Sequence, residues 1–328
     1  SHSPAIIKRV EPECIRYFRM NPETEATEVR RITLPDEEKF ENQYKYIKEA
    51  VKAYPEMYFA KLVVLGEGDS EEIILPKFFE CCGNNIDISG ISIVPLGGRH
   101  VNHFWRLLND LHIPYITLLD LDREREGGGW GRIKYVLKQL IANDYPKDEL
   151  LKLQSGKVLT DEELEAMANW NVNDGKTMQS WINFLEKYNV FFSAPLDIDF
   201  LMLENFGTEY KGILEEKEGP RVSVEIDGRK EQQKIIEIEK IDEKPDEYQK
   251  RVEEDVRNTL KKEGGDGSTY SDEQKRLMIW YNYFFLNRGK PSTHILALSE
   301  LDEMDLFFNM PPVFERLIKV AEGLLNKQ

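Results

Sequence analysis

The chain has 328 residues, 41% hydrophobic and 32% charged, with a formal net charge of −16. That length suits two or three domains, because one core seldom serves much more than about 250 residues, and the mixture excludes wholesale disorder. No apolar run approaches the about 20 residues of a membrane helix. The acidic balance excludes a generally nucleic-acid-coating surface but still allows a local basic strip beside a carboxylate-rich site.

The N-terminus lacks the basic and apolar regions of a signal peptide and reads as an expression scar on an excised fragment. Three cysteines cannot staple a chain of this size: Cys81 and Cys82 are neighbours and Cys14 stands alone. No spacing suggests zinc, and a reducing cytoplasm is expected. In residues 1–58 the spacing of Phe40, Tyr44, Ile47 and Val51 predicts a helix from Asp36 to about Tyr54. No Gly-rich phosphate loop ends in Lys-Ser or Lys-Thr, so no nucleotide is expected to bind this chain by that route.

From Leu62 the pattern changes. Leu62-Val63-Val64-Leu65 reads as a strand covered on both faces. It ends at Gly66-Glu67-Gly68, where Asp69 or Ser70 caps a helix to about Cys82 that Pro76 should kink. A second run, Ile91 to Pro95, leads past Gly97-Gly98 into a helix from about Arg99; a third, Tyr115 to Leu119, ends in Asp120-Leu121-Asp122. Strands separated by single helices imply right-handed β-α-β units and a parallel sheet. Residues 130–188 read as a helical insertion, after which Val190 to Ser193 supplies a fourth strand ahead of Asp197-Ile198-Asp199. Residues 207–265, crowded with Lys and Glu, read as a solvated helical surface with mobile loops, and three apolar helices follow at 277–286, 292–301 and 313–325. The expected architecture is α/β: about four parallel strands with flanking helices, a helical insertion and a C-terminal helical domain. The domains are 1–58, 59–206 and 207–328.

Ligands of an open parallel sheet sit beyond the carboxyl ends of its strands, where the acidic residues recur. Glu67 ends the first strand and Glu71 begins the next helix. Asp120 and Asp122 end the third strand and face one way if the extended conformation persists, and Asp197 and Asp199 follow the fourth. Gathered carboxylates repel unless a cation neutralises them. Oxygen-only donors favour Mg²⁺ or Mn²⁺, and the pairs suffice for two ions acting on a phosphodiester. An Asp-x-Asp alone is more often a helix cap than a metal site; three clusters at three strand ends shift the balance toward function.

Leu65-Gly66-Glu67-Gly68-Asp69-Ser70-Glu71, Val94-Pro95-Leu96-Gly97-Gly98 and Leu118-Leu119-Asp120-Leu121-Asp122 together resemble the Toprim fold. More narrowly they resemble the catalytic region of the overcoming-lysogenization-defect (OLD) family nucleases, specifically over about residues 60–135. The resemblance implies Glu67 and Glu71 as metal ligands, Asp120 and Asp122 as the paired aspartates, and a further acidic set after strand four. Ser193, Asp197 and Asp199 stand there with shifted spacing and Asp in place of Glu, which leaves open which of them meets metal. The family's lysine before a proline matches Lys290 in Gly289-Lys290-Pro291, also readable as a surface lysine at a helix start. The resemblance further implies an N-terminal ABC-type ATPase domain for which residues 1–58 are the connector, DNA and a helicase as partners, a homo-oligomeric full-length protein and phage defence.

Arg99 at a helix N-terminus is a phosphate site or a plain cap. Arg123, Arg125, Arg132, Lys134 and Lys138 are a DNA-backbone strip or an ordinary exposed helix face, and His100, His103 and His112 are expected on a helix surface. Trp105 and Trp181 are expected in the core. The leading expectation is a metal-dependent DNA endonuclease, and the contrasting one a non-catalytic module that binds DNA or an ATPase around a structural metal. A DxD nucleotide-sugar transferase lacks a recognisable nucleotide pocket.

Overall fold

The computed structural model describes residues 3–20, 24–34, 37, 41, 44–45, 48, 52–97, 101–153, 155–226, 229–261 and 263–327. The helix expected over Asp36–Tyr54 falls largely outside these, as do Arg99 and His100. The N-terminal segment carries an antiparallel hairpin, β1 (Arg16–Met20) and β2 (Thr27–Arg31).

The central sheet has four parallel strands: β3 (Leu62–Gly66), β4 (Ile91–Pro95), β5 (Tyr115–Asp120) and β6 (Val190–Ser193). Their order is β4-β3-β5-β6. Every residue of β3 and β6 is buried, which explains their unbroken apolar runs. Side chains alternate between two cores. Leu62, Val64, Ile116, Leu118 and Phe191 enter one, and Val63, Leu65, Leu119 and Phe192 enter the other.

The helix α1 (Asp69–Cys81) covers the first face, whereas α2 (Val101–Leu111), α3 (Trp130–Ala142) and α4 (Gly175–Leu185) cover the second. The connections leaving the adjacent strands β3 and β5 thus go to opposite faces, opening a crevice between their carboxyl ends. Pro76 lies within α1, and the helix continues past it to Cys81. Trp105 is buried and donates to Thr117 at 2.8 Å; Trp181 is also in the core. His103 is buried rather than on the surface, because its helix presents a broad apolar face to the sheet, while His112 is exposed.

After β6 come α5 (Ile198–Gly212), a hairpin of β7 (Arg221–Ile226) and β8 (Arg229–Lys234), then α6 (Asp246–Leu260) and α7 (Asp272–Tyr281). A π-helical stretch, Asn282–Arg288, leads to α8 (Lys290–Ser299) and α9 (Pro312–Leu325). The hairpin adds two strands to the solvated helical surface and mobile loops expected over 207–265: β8 is mostly exposed, so no apolar alternation marks it. The boundary expected between 206 and 207 falls inside α5, beside a kink at Phe206. The C-terminal helices also share the first core with the sheet. No described helix is long and apolar enough to cross a membrane.

Phe314 of α9 is wholly buried, 4.9 Å between ring centroids from Phe78 of α1. Phe314→Ala should cost about 3–5 kcal/mol. Because the core is shared, denaturant should unfold sheet and C-terminal helices together. Two separate transitions, with only the later helices affected, would contradict the shared core.

Candidate active site at the sheet switch point

The crevice holds a cleft of about 370 Å³ lined by Glu67 to Glu71, Gly97, Asp120, Ile198, Asp199, Lys290 and Pro291. Gly66 lets α1 start hard against its own strand. A Cβ there would lie 2.5 Å from that of Glu71. The Gly68 N–H donates to Glu71 Oε2 at 2.9 Å, and the other oxygen, Oε1, is buried with no hydrogen-bond partner. Burial, above all, raises Glu71 to about 8, with Asp199 and Glu67 adding repulsion. Asp120 ends β5 and accepts the Ile198 N–H at 3.3 Å. Burial first, and the surrounding carboxylates second, push it well above the usual range. Glu67 is raised for the same leading reason, against the pull of Arg132, and accepts the Asp120 N–H at 3.1 Å.

Asp122 does not continue the strand: its φ is +52°, so it does not share a side with Asp120 as extended spacing implies. The loop folds tightly over it, and a Cβ on Gly128 would lie 1.8 Å from the Asp122 carbonyl oxygen. Asp122 instead meets Arg125 at 2.7 Å and Arg132 at 2.9 Å, and Arg132 also reaches Glu67 at 3.2 Å. Asp197 caps α5 through the Phe200 N–H at 2.9 Å. It accepts from the Tyr281 hydroxyl at 2.6 Å and from Arg125 at 3.1 Å. Asp199 faces the cleft. Burial alone would raise it, but hydrogen bonding to His294 and the charge of Lys290 outweigh burial and hold it down at about 2.

The structure therefore brings Glu67, Glu71, Asp120, Asp199 and Lys290 to one cleft and places Asp122 and Asp197 outside its lining. Ser193 is fully buried beside Asp120 in the sheet, its hydroxyl without a partner. Arg125 and Arg132 correct the strip expectation: both guanidiniums are partly buried and turned onto carboxylates, as a desolvated cation requires. Arg123 donates to the Val172 carbonyl at 2.6 Å. Lys134 and Lys138 share a helix face as their spacing predicts, and both pair with Glu165. Lys290 opens α8 with Pro291 beside it, so the helix-start role and a place at the cleft coincide.

Ser70, expected with Asp69 as a helix cap, lies inside the first turn after the cap residue Gly68 and donates to Asp199 instead; Tyr281 and His294, which also contact these carboxylates, were not singled out from sequence. For His294 there was a signal, since it lies one turn after Lys290 on the same helix face. In donor chemistry the cleft fits a hard cation, with carboxylate oxygens and no thiolate. Glu71 Oε1 is buried without a partner, and Asp199 Oδ2 is met only by the Lys290 ammonium at 2.5 Å. With the side chains turned to their internal partners, no three His, Cys, Asp or Glu among the described residues converge on one ion.

The raised Glu71 has a consequence for stability. Its proton leaves the unfolded chain near 4.5 and the folded one at about 8, so between these values the folded state binds more protons. Metal-free protein should therefore lose thermal stability as pH rises from about 5 to about 8. Glu71→Gln, neutral throughout, should flatten that slope in calorimetric melts; an equal slope in both proteins would show Glu71 ionised when folded.

Residues 58–122 match the family model described as the Toprim domain of overcoming lysogenization defect protein-like proteins. A stretch of 92 residues is 33% identical to endonuclease GajA of Bacillus cereus (strain VD045), covering 28% of this chain and 16% of that protein's length. Among solved structures, the C-terminal region of the Burkholderia pseudomallei OLD protein is 17% identical, with 81% of this chain and 99% of that chain covered and a TM-score of 0.42. That of the Xanthomonas campestris pv. campestris OLD protein is also 17% identical, covering 83% and 96%, with a TM-score of 0.42. Residues 58–122 are thus a Toprim domain of the overcoming-lysogenization-defect-like type.

Proposed function

We propose that this chain is a divalent-cation-dependent DNA endonuclease that hydrolyses phosphodiester bonds at the β3/β5 crevice. One observation carries the reading: buried Glu71 and Asp199 and half-buried Asp120 converge on a cleft where Glu71 Oε1 has no partner and Asp199 Oδ2 meets only the partly exposed Lys290. The relative named an endonuclease, which matches over 92 residues, supports the choice of substrate.

Glu71, Asp120 and Asp199 would hold the first Mg²⁺ or Mn²⁺, with Glu67 at the rim. A bound divalent cation supplies a Lewis acid for the phosphate and acidifies water. A second ion drawing on Glu67 and Asp122 has to compete with the Arg132 guanidinium already paired to both. Lys290 carries an ammonium at the cleft, where it neutralises charge developing on the scissile phosphate. Arg125 and Tyr281 hold Asp197 and Asp122, and so fix the backbone on which Asp120 and Asp199 stand. DNA would enter past Lys290 rather than along Lys134 and Lys138. Coupling to an ABC-type ATPase domain and a cytoplasmic role in phage defence belong to the same proposal.

A second reading, a non-catalytic binding module with a structural metal, has one observation in its favour: Arg125 and Arg132 already neutralise part of the cluster. Nicking of supercoiled plasmid separates the two. Cleavage should require Mg²⁺ or Mn²⁺ and stop with EDTA, and Glu71→Ala and Asp120→Ala should each abolish it without unfolding the protein. Lys290→Ala should lower kcat by about 10²-fold without weakening Mn²⁺ binding, because the ammonium competes with the cation for Asp199 Oδ2. Cleavage undiminished in EDTA, or at the parent rate in either carboxylate variant, would overturn the mechanism.

A further inference from the structure

Behind Asp199 lies a buried donor chain that the cleavage chemistry above does not use. Lys290 and His294 stand one turn apart on α8 and both reach Asp199. Tyr210 of α5 and His294 are wholly buried. The Tyr210 hydroxyl lies 2.5 Å from His294 Nδ1, and His294 Nε2 lies 2.9 Å from Asp199 Oδ1. Phe285 stacks on the imidazole with ring centroids 4.8 Å apart, fixing its plane. A protonated phenol donates to Nδ1, and a neutral imidazole that accepts there carries its hydrogen on Nε2, directed at Asp199.

The Ser70 hydroxyl donates to the same oxygen, Oδ1, at 2.6 Å. Oδ1 therefore receives two hydrogen bonds from buried donors, while Oδ2 meets only the Lys290 ammonium, at 2.5 Å. The two oxygens of one carboxylate have been given different environments. A bidentate carboxylate needs both oxygens free, and this one has Oδ1 engaged.

We propose that Tyr210 and His294 are positioning residues that make Asp199 a one-oxygen ligand, keeping Oδ1 engaged and presenting Oδ2 alone to the divalent cation. This rests on the reading of Asp199 as a cation ligand. It also gives Lys290 a second task. The ammonium covers Oδ2 until the cation takes that oxygen, and is then free for the phosphate.

The test is calorimetric titration of the whole chain with Mn²⁺ in the absence of DNA, alongside melting temperature and the kcat and KM of plasmid nicking. Tyr210→Phe deletes the hydrogen that fixes the tautomer and little volume. It should weaken Mn²⁺ binding by about tenfold and lower kcat, with KM for DNA unchanged. His294→Leu should do the same, and His294→Gln, whose amide retains an N–H donor, should recover most of the affinity. Parent Mn²⁺ affinity and kcat in folded Tyr210→Phe would overturn the proposal. Asp199→Asn is the control. Parent Mn²⁺ affinity in that variant would mean that the cation-site reading had failed, and the positioning role with it. A loss in Asp199→Asn but not in Tyr210→Phe would defeat the positioning role alone.

Discussion

The organising constraint is electrostatic: carboxylates are crowded into a crevice that the sheet and two helical layers shield from water. Coulomb repulsion that water would screen at the surface is strong there. The molecule answers it in two ways. Asp122 and Asp197 are neutralised by Arg125, with Arg132 shared between Asp122 and Glu67. Glu71 and Asp120 receive no such partner and instead hold protons above the usual carboxylate range, principally because they are buried. Such a cluster, partly compensated and partly not, stores an attraction for a cation at a fixed place.

The fold creates that place by topology. Connections leave β3 and β5 for opposite faces, so Glu67 and Glu71 on one side and Asp120 on the other meet across the gap. The C-terminal helices are part of the same device, because α8 brings Lys290 and His294 to a carboxylate that begins α5. A sheet without those helices would leave Asp199 without the two groups that hold it ionised.

Much of this was legible in sequence for a physical reason. The strands β3 and β6 are buried at every residue and β4 and β5 are apolar but for Ser92 and Thr117 ahead of their ends, so acidic residues after these runs stand out. The two hairpins were not legible: β8 is largely exposed, and its Arg-Lys-Glu-Gln-Gln-Lys composition carries no apolar alternation. Spacing also misled where the backbone turned. Asp120 and Asp122 differ by two residues, but the left-handed conformation at Asp122 rotates it onto Arg125 and Arg132. The same burial explains the arginines, which in sequence look like a solvent-facing strip and in the fold are the counter-ions of the cluster. Partners supplied from distant segments, such as Tyr281 on Asp197 and Tyr210 behind His294, have no local signature.

The central claim is that Glu71 Oε1, which has no partner, and Asp199 Oδ2, which meets only the Lys290 ammonium, mark a cation site that Lys290 guards. A crystal structure with Mn²⁺ and a short DNA duplex, read from manganese anomalous scattering, tests it most directly. The account predicts an ion beside Glu71 Oε1 and Asp199 Oδ2, with the Lys290 ammonium moved onto a phosphate. Manganese bound away from this cleft, with Lys290 still paired to Asp199, would contradict it.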